Sequence, residues 1–236
     1  MPYTDLTVEE LAKYLHITPQ QVHRLVSRDD IPHRRIGGEI VFPKAGIRKW
    51  LEKQIGLSDH EELLTVENRL RNEDLSRNQD LVTVHELLVP EAISLPLPAK
   101  TRSSVIRKMA DICADAGLLW DPKAMAEAVL EREEMYSTAL GSGVALLHPR
   151  HPMAKIIAQP FLGIGITTTS IPFGKDAPMA DIFFLICSSD DRFHLRALAR
   201  LSRLIGQPDF LDTMRKINSP YEMVEFFTNA EAELTQ

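Results

Sequence analysis

Apolar positions recur at helical spacing from the start of the chain. Leu11 and Leu15 lie four residues apart, and Thr7 with Glu10 forms a capping box ahead of them. A second helix is predicted from Thr18. Pro19 stands at its first position, Gln21 closes another capping box, and Val22, Leu25 and Val26 form the apolar face. Only His16 and Ile17 lie between the two, so they read as a helix-turn-helix. After Ile31-Pro32, Arg35-Ile36 and Ile40-Val41-Phe42 flank Gly37-Gly38, a hairpin signal. Pro43 opens a third helix through Ile47, Trp50 and Leu51.

Residues 56–80 break this pattern. Acidic and basic side chains dominate, and the stretch is predicted to be a polar linker. Leu63, Val66 and Leu70 fit one helical stripe that allows a homodimer contact, but a single heptad is too short for a coiled coil. From about residue 81, helical and extended patterns mix. Residues 103–116 are predicted helical, with Val105, Ile106, Met109, Ile112 and Cys113 on one face and Gly117 as the stop. Asp121-Pro122 opens a helix to about Glu133. Residues 143–148, 155–166 (interrupted at Pro160) and 180–187 read as strands. Residues 192–205 form an amphipathic helix closed by Gly206, 210–217 another, and Ser219-Pro220-Tyr221-Glu222 opens the last. The expected organisation is a small helix-turn-helix domain over 1–55, the linker, and an α/β domain over 81–236, a mixed sheet flanked by helices.

Composition narrows the class. The chain has 236 residues, 44% hydrophobic and 25% charged, which excludes collagen-like and wholly disordered chains. No apolar run approaches the ~20 residues of a membrane helix, and the acidic N-terminus does not read as a secretory signal. Cys113 and Cys187 make no disulfide framework and read as buried thiols, so a cytoplasmic protein without membrane insertion is expected. Charge is uneven. Residues 1–57 carry nine Lys/Arg against seven Asp/Glu, whereas 58–236 carry eighteen against twenty-six. A net +2 head on a net −8 body suggests two domains with different partners.

The head points to duplex DNA. The exposed face of the second helix carries Gln20, Gln21, His23, Arg24, Ser27 and Arg28, side-chain types that pair with base edges in a major groove. His33-Arg34-Arg35 before the glycine turn, and Lys44 beyond it, suit phosphates. A helical adaptor with a solvated charged face is the alternative reading. The stretch Leu6-Thr7-Val8-Glu9-Glu10-Leu11-Ala12, Ile17-Thr18, Val22-His23-Arg24-Leu25, Ile31-Pro32, Arg35-Ile36-Gly37-Gly38, Phe42 and Trp50-Leu51 resembles the excisionase-like, MerR-related winged helix-turn-helix family. Asp29-Asp30 stands where that family usually has a basic residue and glycine.

In the body, three histidines stand out. His148 ends a short strand ahead of Pro149 and is expected at a surface edge with its ring accessible. A neutral imidazole there can attack phosphorus. Arg132, Ser142 and Gly143 could supply donors to phosphoryl oxygens. His194 lies about one turn into a helix that begins near Asp190, where a helix N-terminus favours anions and a neutral ring. Taken alone, a histidine at a strand end is more often structural. His148 and His151 with His194 have poor spacing for zinc, and Gly163-x-Gly165 lacks a third glycine and a following helix, so no metal or cofactor is expected. His16, His60 and His85 read as surface residues.

Residues 84–230 resemble the enzyme IIA domain of the fructose/mannitol class of the sugar phosphotransferase system, including its nitrogen-regulatory branch. The motifs are Leu130-Glu131-Arg132-Glu133, Ser137-Thr138, Gly141-Ser142-Gly143-Val144-Ala145 and His148. His194-Leu195, Leu198-Ala199 and Leu201 match the second signature. The opening matches at Glu86-Leu87-Leu88 and the close at 219–227. Leu147 stands at the family's usual proline, and Ser142 at its usual asparagine. The resemblance implies His148 as phosphoryl acceptor, His194 as its partner, Arg132 as the stabilising cation, and a histidine phosphocarrier protein as donor. It describes a phosphoryl carrier rather than a stand-alone turnover enzyme. The combined expectation is a regulator that couples this phosphorylation to DNA binding, with other regulatory proteins as further partners. The alternative is a binding module whose second domain no longer accepts phosphate.

Overall fold

The computed structural model describes residues 5–15, 18–29, 31–43, 46–47, 50, 83–135, 137–173 and 179–234, with the backbone alone at 13–15, 192 and 234. Lys44 and the predicted linker 56–80 lie outside the described residues. The chain divides into two compact units, Met1–Asn72 and Glu73–Gln236.

In the first unit, α1 (Val8–Leu15) and α2 (Pro19–Ser27) start where their caps predict. Thr7 and Glu10 bond each other's backbone, as do Thr18 and Gln21. β1 (Arg34–Ile36) pairs antiparallel with β2 (Glu39–Val41), Ile36 opposite Glu39. The intervening Gly37 and Gly38 both have positive φ, +61° and +91°, a turn that glycine adopts without strain. Leu6 and Phe42 exchange backbone bonds of 2.9 Å and tie the chain's start to the hairpin. Leu6, Leu11, Ala12, Val22, Ile31, Phe42 and Ile47 form the core.

The second unit is built on a four-stranded mixed sheet in the order β3 (Ile93–Ser94), β5 (Phe161–Pro172), β6 (Met179–Cys187), β4 (Val144–Leu147). β4 runs parallel to β6, and β5 antiparallel to it. α3 (Arg102–Asp115) and α4 (Pro122–Met135) cover one face, where Met109, Cys113, Met125 and Val129 pack with Ala145, Leu147, Phe183 and Leu185. α5 (Asp191–Ile205), α6 (Phe210–Lys216) and α7 (Pro220–Leu234) complete the unit. Phe227 of α7 meets Phe184 on the opposite face at 6.3 Å. Both faces of β6 are therefore covered, which explains why 182–187 is continuously apolar. Gly163 and Gly165 let α3 approach β5. A Cβ on Gly163 would lie 2.8 Å from Cys113 Sγ, and one on Gly165 2.6 Å from Met109 Sδ.

One predicted strand is corrected. Residues 154–156 form a single 3-10 turn, and β5 begins only at Phe161, after Pro160, and runs on to Pro172. Proline lacks the amide a ladder needs, so the pairing starts after it. No helix among the described residues is long and apolar enough to cross a membrane.

Candidate functional site

Two parallel strands bring the central histidines together. His148 follows the last residue of β4, and Leu147 is paired with Leu185 of β6. β6 ends at Cys187, and α5 begins four residues later, capped by Asp190, which accepts from Phe193 N at 2.8 Å. His194 sits in the first turn, its amide bonded to Asp190 O at 3.1 Å. The His148 and His194 rings lie 4.8 Å apart between centroids, tilted by 48°. The sequence reading put the His148 ring in the open. The structure instead buries it to 3% exposure and His194 to 5%, because α5 lays its first turn over the strand end.

The His148 ring has a defined tautomer. Its Nδ1 lies 2.8 Å from Leu146 O. A carbonyl oxygen only accepts, so Nδ1 carries the proton. In the neutral ring, Nε2 then holds the lone pair. Arg132 is buried in the last turn of α4. Next to it, Glu133 is also buried and accepts the Thr138 amide on both oxygens, at 3.0 and 3.1 Å, and the Thr138 hydroxyl at 2.7 Å. Sequence reasoning named neither Glu133 nor Thr138 as a site residue. The signal was their five-residue separation beside Arg132.

Ser142 and Gly143 do not join the histidines. They precede β4 while His148 follows it, a separation of roughly 16 Å at about 3.3 Å per strand residue. Their neighbour is Arg215 of α6. It donates to Ser142 O at 3.2 Å and clasps both Asp181 oxygens, at 2.7 and 2.9 Å. The bonds to Asp181 raise the Arg215 pKa above the usual guanidinium value. The glycine turn is thus held structurally, not aimed at the site.

His85 is also corrected from a surface reading. Its ring is half-buried against Glu231 of α7, at 2.6 Å. Burial pushes the Cys113 thiol up to about 12, and burial followed by the proximity of Cys113 pushes Cys187 well above the ordinary value, so neither is a ready nucleophile.

In the first unit, Gln20, His23, Arg24, Arg28 and Arg35 are exposed. Two predicted contacts are committed elsewhere. The Gln21 side-chain oxygen accepts the Thr18 amide at 2.8 Å, so it caps α2. The Arg34 guanidinium is ion-paired with Asp5, Nε donating at 2.9 Å.

Residues 86–230 match the family described as Phosphoenolpyruvate-dependent sugar phosphotransferase system, EIIA 2. The chain belongs to this family. Residues 6–55 match the Helix-turn-helix domain family, so an enzyme IIA unit and a helix-turn-helix unit share one chain. The enzyme IIA unit is 29% identical over 145 residues to the fructose-specific EIIABC component of the Bacillus subtilis phosphotransferase system, covering 60% of this chain and 22% of that protein. The chain therefore spans about a fifth of that relative's length. A nitrogen regulatory protein of Bradyrhizobium diazoefficiens is 31% identical over 137 residues, 56% of this chain and 86% of that one. The fold is shared with Escherichia coli mannitol enzyme IIA, solved in complex with phosphorylated enzyme IIB, with a TM-score of 0.52, 18% identity, and coverage of 60% of this chain and 97% of that one.

Proposed function

We propose that this chain is a phosphotransferase-linked regulator in which His148 accepts a phosphoryl group and the helix-turn-helix unit binds duplex DNA. The observation that carries the acceptor reading is the pair of buried rings 4.8 Å apart, with His148 Nδ1 bonded to Leu146 O. The Nε2 lone pair attacks the phosphorus of a phosphohistidine on a carrier protein. The N–P bond on the carrier breaks, and its electron pair returns to the carrier's ring nitrogen. His194, in the first turn of α5, and Arg132 stabilise the phosphoryl oxygens. With His148 only 3% exposed, docking of the carrier must displace part of the cover provided by α5. Leu147, at the family's usual proline, is the last paired residue of β4 and leaves the strand end in place. The carrier is a cytoplasmic histidine phosphocarrier protein.

Incubation with phosphoenolpyruvate and the general phosphotransferase proteins should give acid-labile, base-stable labelling of the wild type. His148→Ala should abolish it, and Arg132→Ala should slow transfer about 10²-fold, as for loss of one preorganised donor. Labelling that persists in His148→Ala would reject the acceptor assignment.

A further inference from the structure

We propose that Glu133 is a positioning residue for His148: by drawing the Thr138 amide out of the sheet ladder, it leaves the Leu146 carbonyl to hold Nδ1–H. The consequence for transfer rests on the acceptor reading above; the geometry does not. β4 is the edge strand of its sheet, and residues 138–140 fold back along its outer side. Ala139 opposes Ala145 in an antiparallel bridge, and Leu140 N donates to Val144 O at 2.6 Å. In such a ladder every second opposed pair exchanges two hydrogen bonds. The next exchanging pair after Leu140 and Val144 is therefore Thr138 and Leu146. One of its bonds is made, from Leu146 N to Thr138 O at 3.2 Å.

The reciprocal bond is replaced at both ends. Thr138 N donates to the Glu133 carboxylate instead, at 3.0 and 3.1 Å, with the Thr138 hydroxyl adding a bond of 2.7 Å. Leu146 O accepts from His148 Nδ1, at 2.8 Å. Two substitutions at one ladder position place a proton on one ring nitrogen and the lone pair on the other. Glu133 has to be buried for this, because an exposed carboxylate would be solvated and would not compete with a ladder carbonyl; it is 2% exposed. Arg132, the adjacent residue, shares the same helical turn, so one short sequence can place both the cation and the tautomer control.

The tautomer is readable without phosphorylation, by long-range proton–nitrogen NMR correlation of the full-length protein at a pH where the ring is neutral. His148→Ala assigns the signals. The wild type should show a protonated Nδ1 and an unprotonated Nε2. Glu133→Ala should let Thr138 N return to Leu146 O, giving mixed or reversed tautomers and a transfer rate lower by about 10²-fold. Glu133→Gln should restore the wild-type pattern, because the amide oxygen still accepts from Thr138 N. Should both variants unfold, a through-hydrogen-bond coupling in the wild type decides. It should link Thr138 N to the Glu133 carboxyl carbon and not to the Leu146 carbonyl carbon. A single Nδ1–H tautomer in folded Glu133→Ala, or coupling to Leu146, would overturn the proposal. A wild type that keeps this tautomer yet takes no label would reject the acceptor reading alone.

Discussion

Glu231, buried in α7, accepts from Val84 N at 2.9 Å, His85 N at 2.8 Å, His85 Nδ1 at 2.6 Å and Arg200 Nε at 2.9 Å. One carboxylate thus joins the start of the second unit to α5 and α7. Burial pushes its pKa up, but the backbone bonds from His85 and Val84, with Arg200, outweigh this and hold it below the usual carboxylate value. A carboxylate depressed in the folded state stabilises above its unfolded pKa and loses that contribution as pH falls through the folded one. The second unit should therefore lose Tm as the pH drops below about 4.3. Glu231→Gln should cost about 3 kcal/mol at neutral pH by removing the buried charge that His85 and Arg200 bond, and should flatten the acid limb. Thermal melts from pH 3 to 7 read both. An unchanged acid limb would refute the assignment. A second side-chain prediction follows from Asp5. Since Asp5 holds Arg34, Asp5→Asn should tighten DNA binding, whereas Arg35→Ala should weaken it more than Arg34→Ala does. Fluorescence anisotropy with one duplex ranks the three.

At the level of elements, close approach and helix ends decide more than propensity. α3 lies against β5 because Gly163 and Gly165 leave room for Cys113 and Met109. Gly165→Ala should lower stability by about 1–3 kcal/mol, the usual cost of overpacking a core. Gly141→Ala, where an added Cβ meets nothing within 4 Å, is the matched control. Equal denaturation midpoints for the two would remove the packing argument. α2 ends on a left-handed residue. Asp29 takes a left-handed conformation, φ +57°, where glycine is the unstrained choice. Asp29→Gly should stabilise the first unit by about 0.5–1 kcal/mol and remove a negative charge from the surface next to Arg28, so chemical denaturation and DNA affinity should both improve.

For the whole molecule, charge is uneven along the chain, net +2 over 1–57 and net −8 over 58–236. A phosphoryl group on His148 adds roughly −1.5 to −2 charges. Such a charge acts through solvent only within a Debye length of about 8 Å, so control of DNA binding at longer range requires a change in packing or oligomeric state. DNA binding should fall steeply with salt. Arg28→Ala and Arg35→Ala should each flatten the slope by about one unit, and Gln20→Ala or Arg24→Ala should alter sequence preference instead. Titrating one genomic duplex with phosphorylated wild type and with His148→Ala tests the coupling. Equal affinities and equal oligomeric states would reject it.

Local order was written in the sequence. Thr7 with Glu10, Thr18 with Gln21, Gly37-Gly38 and Asp190 act within a few residues, so helix starts and the hairpin turn follow from chain-local chemistry. The run 180–187 likewise announced a strand, seen as β6 over Met179–Cys187. The motifs around Arg132, His148 and His194 were legible as a family pattern, although relatives of that family are only 22–31% identical overall. What the sequence could not decide were contacts between residues distant along the chain. Asp5 meets Arg34 across 29 positions, Arg215 meets Asp181 across 34, and Glu231 meets His85 across 146. Only folding brings such partners within hydrogen-bond range. The same holds for His148: the strand end beside Pro149 promised an open ring, and the helix that buries it begins some forty positions later. The fate of the Leu146 carbonyl, too, was settled by tertiary structure, because a ladder bond is lost or kept according to which buried acceptor folds beside it.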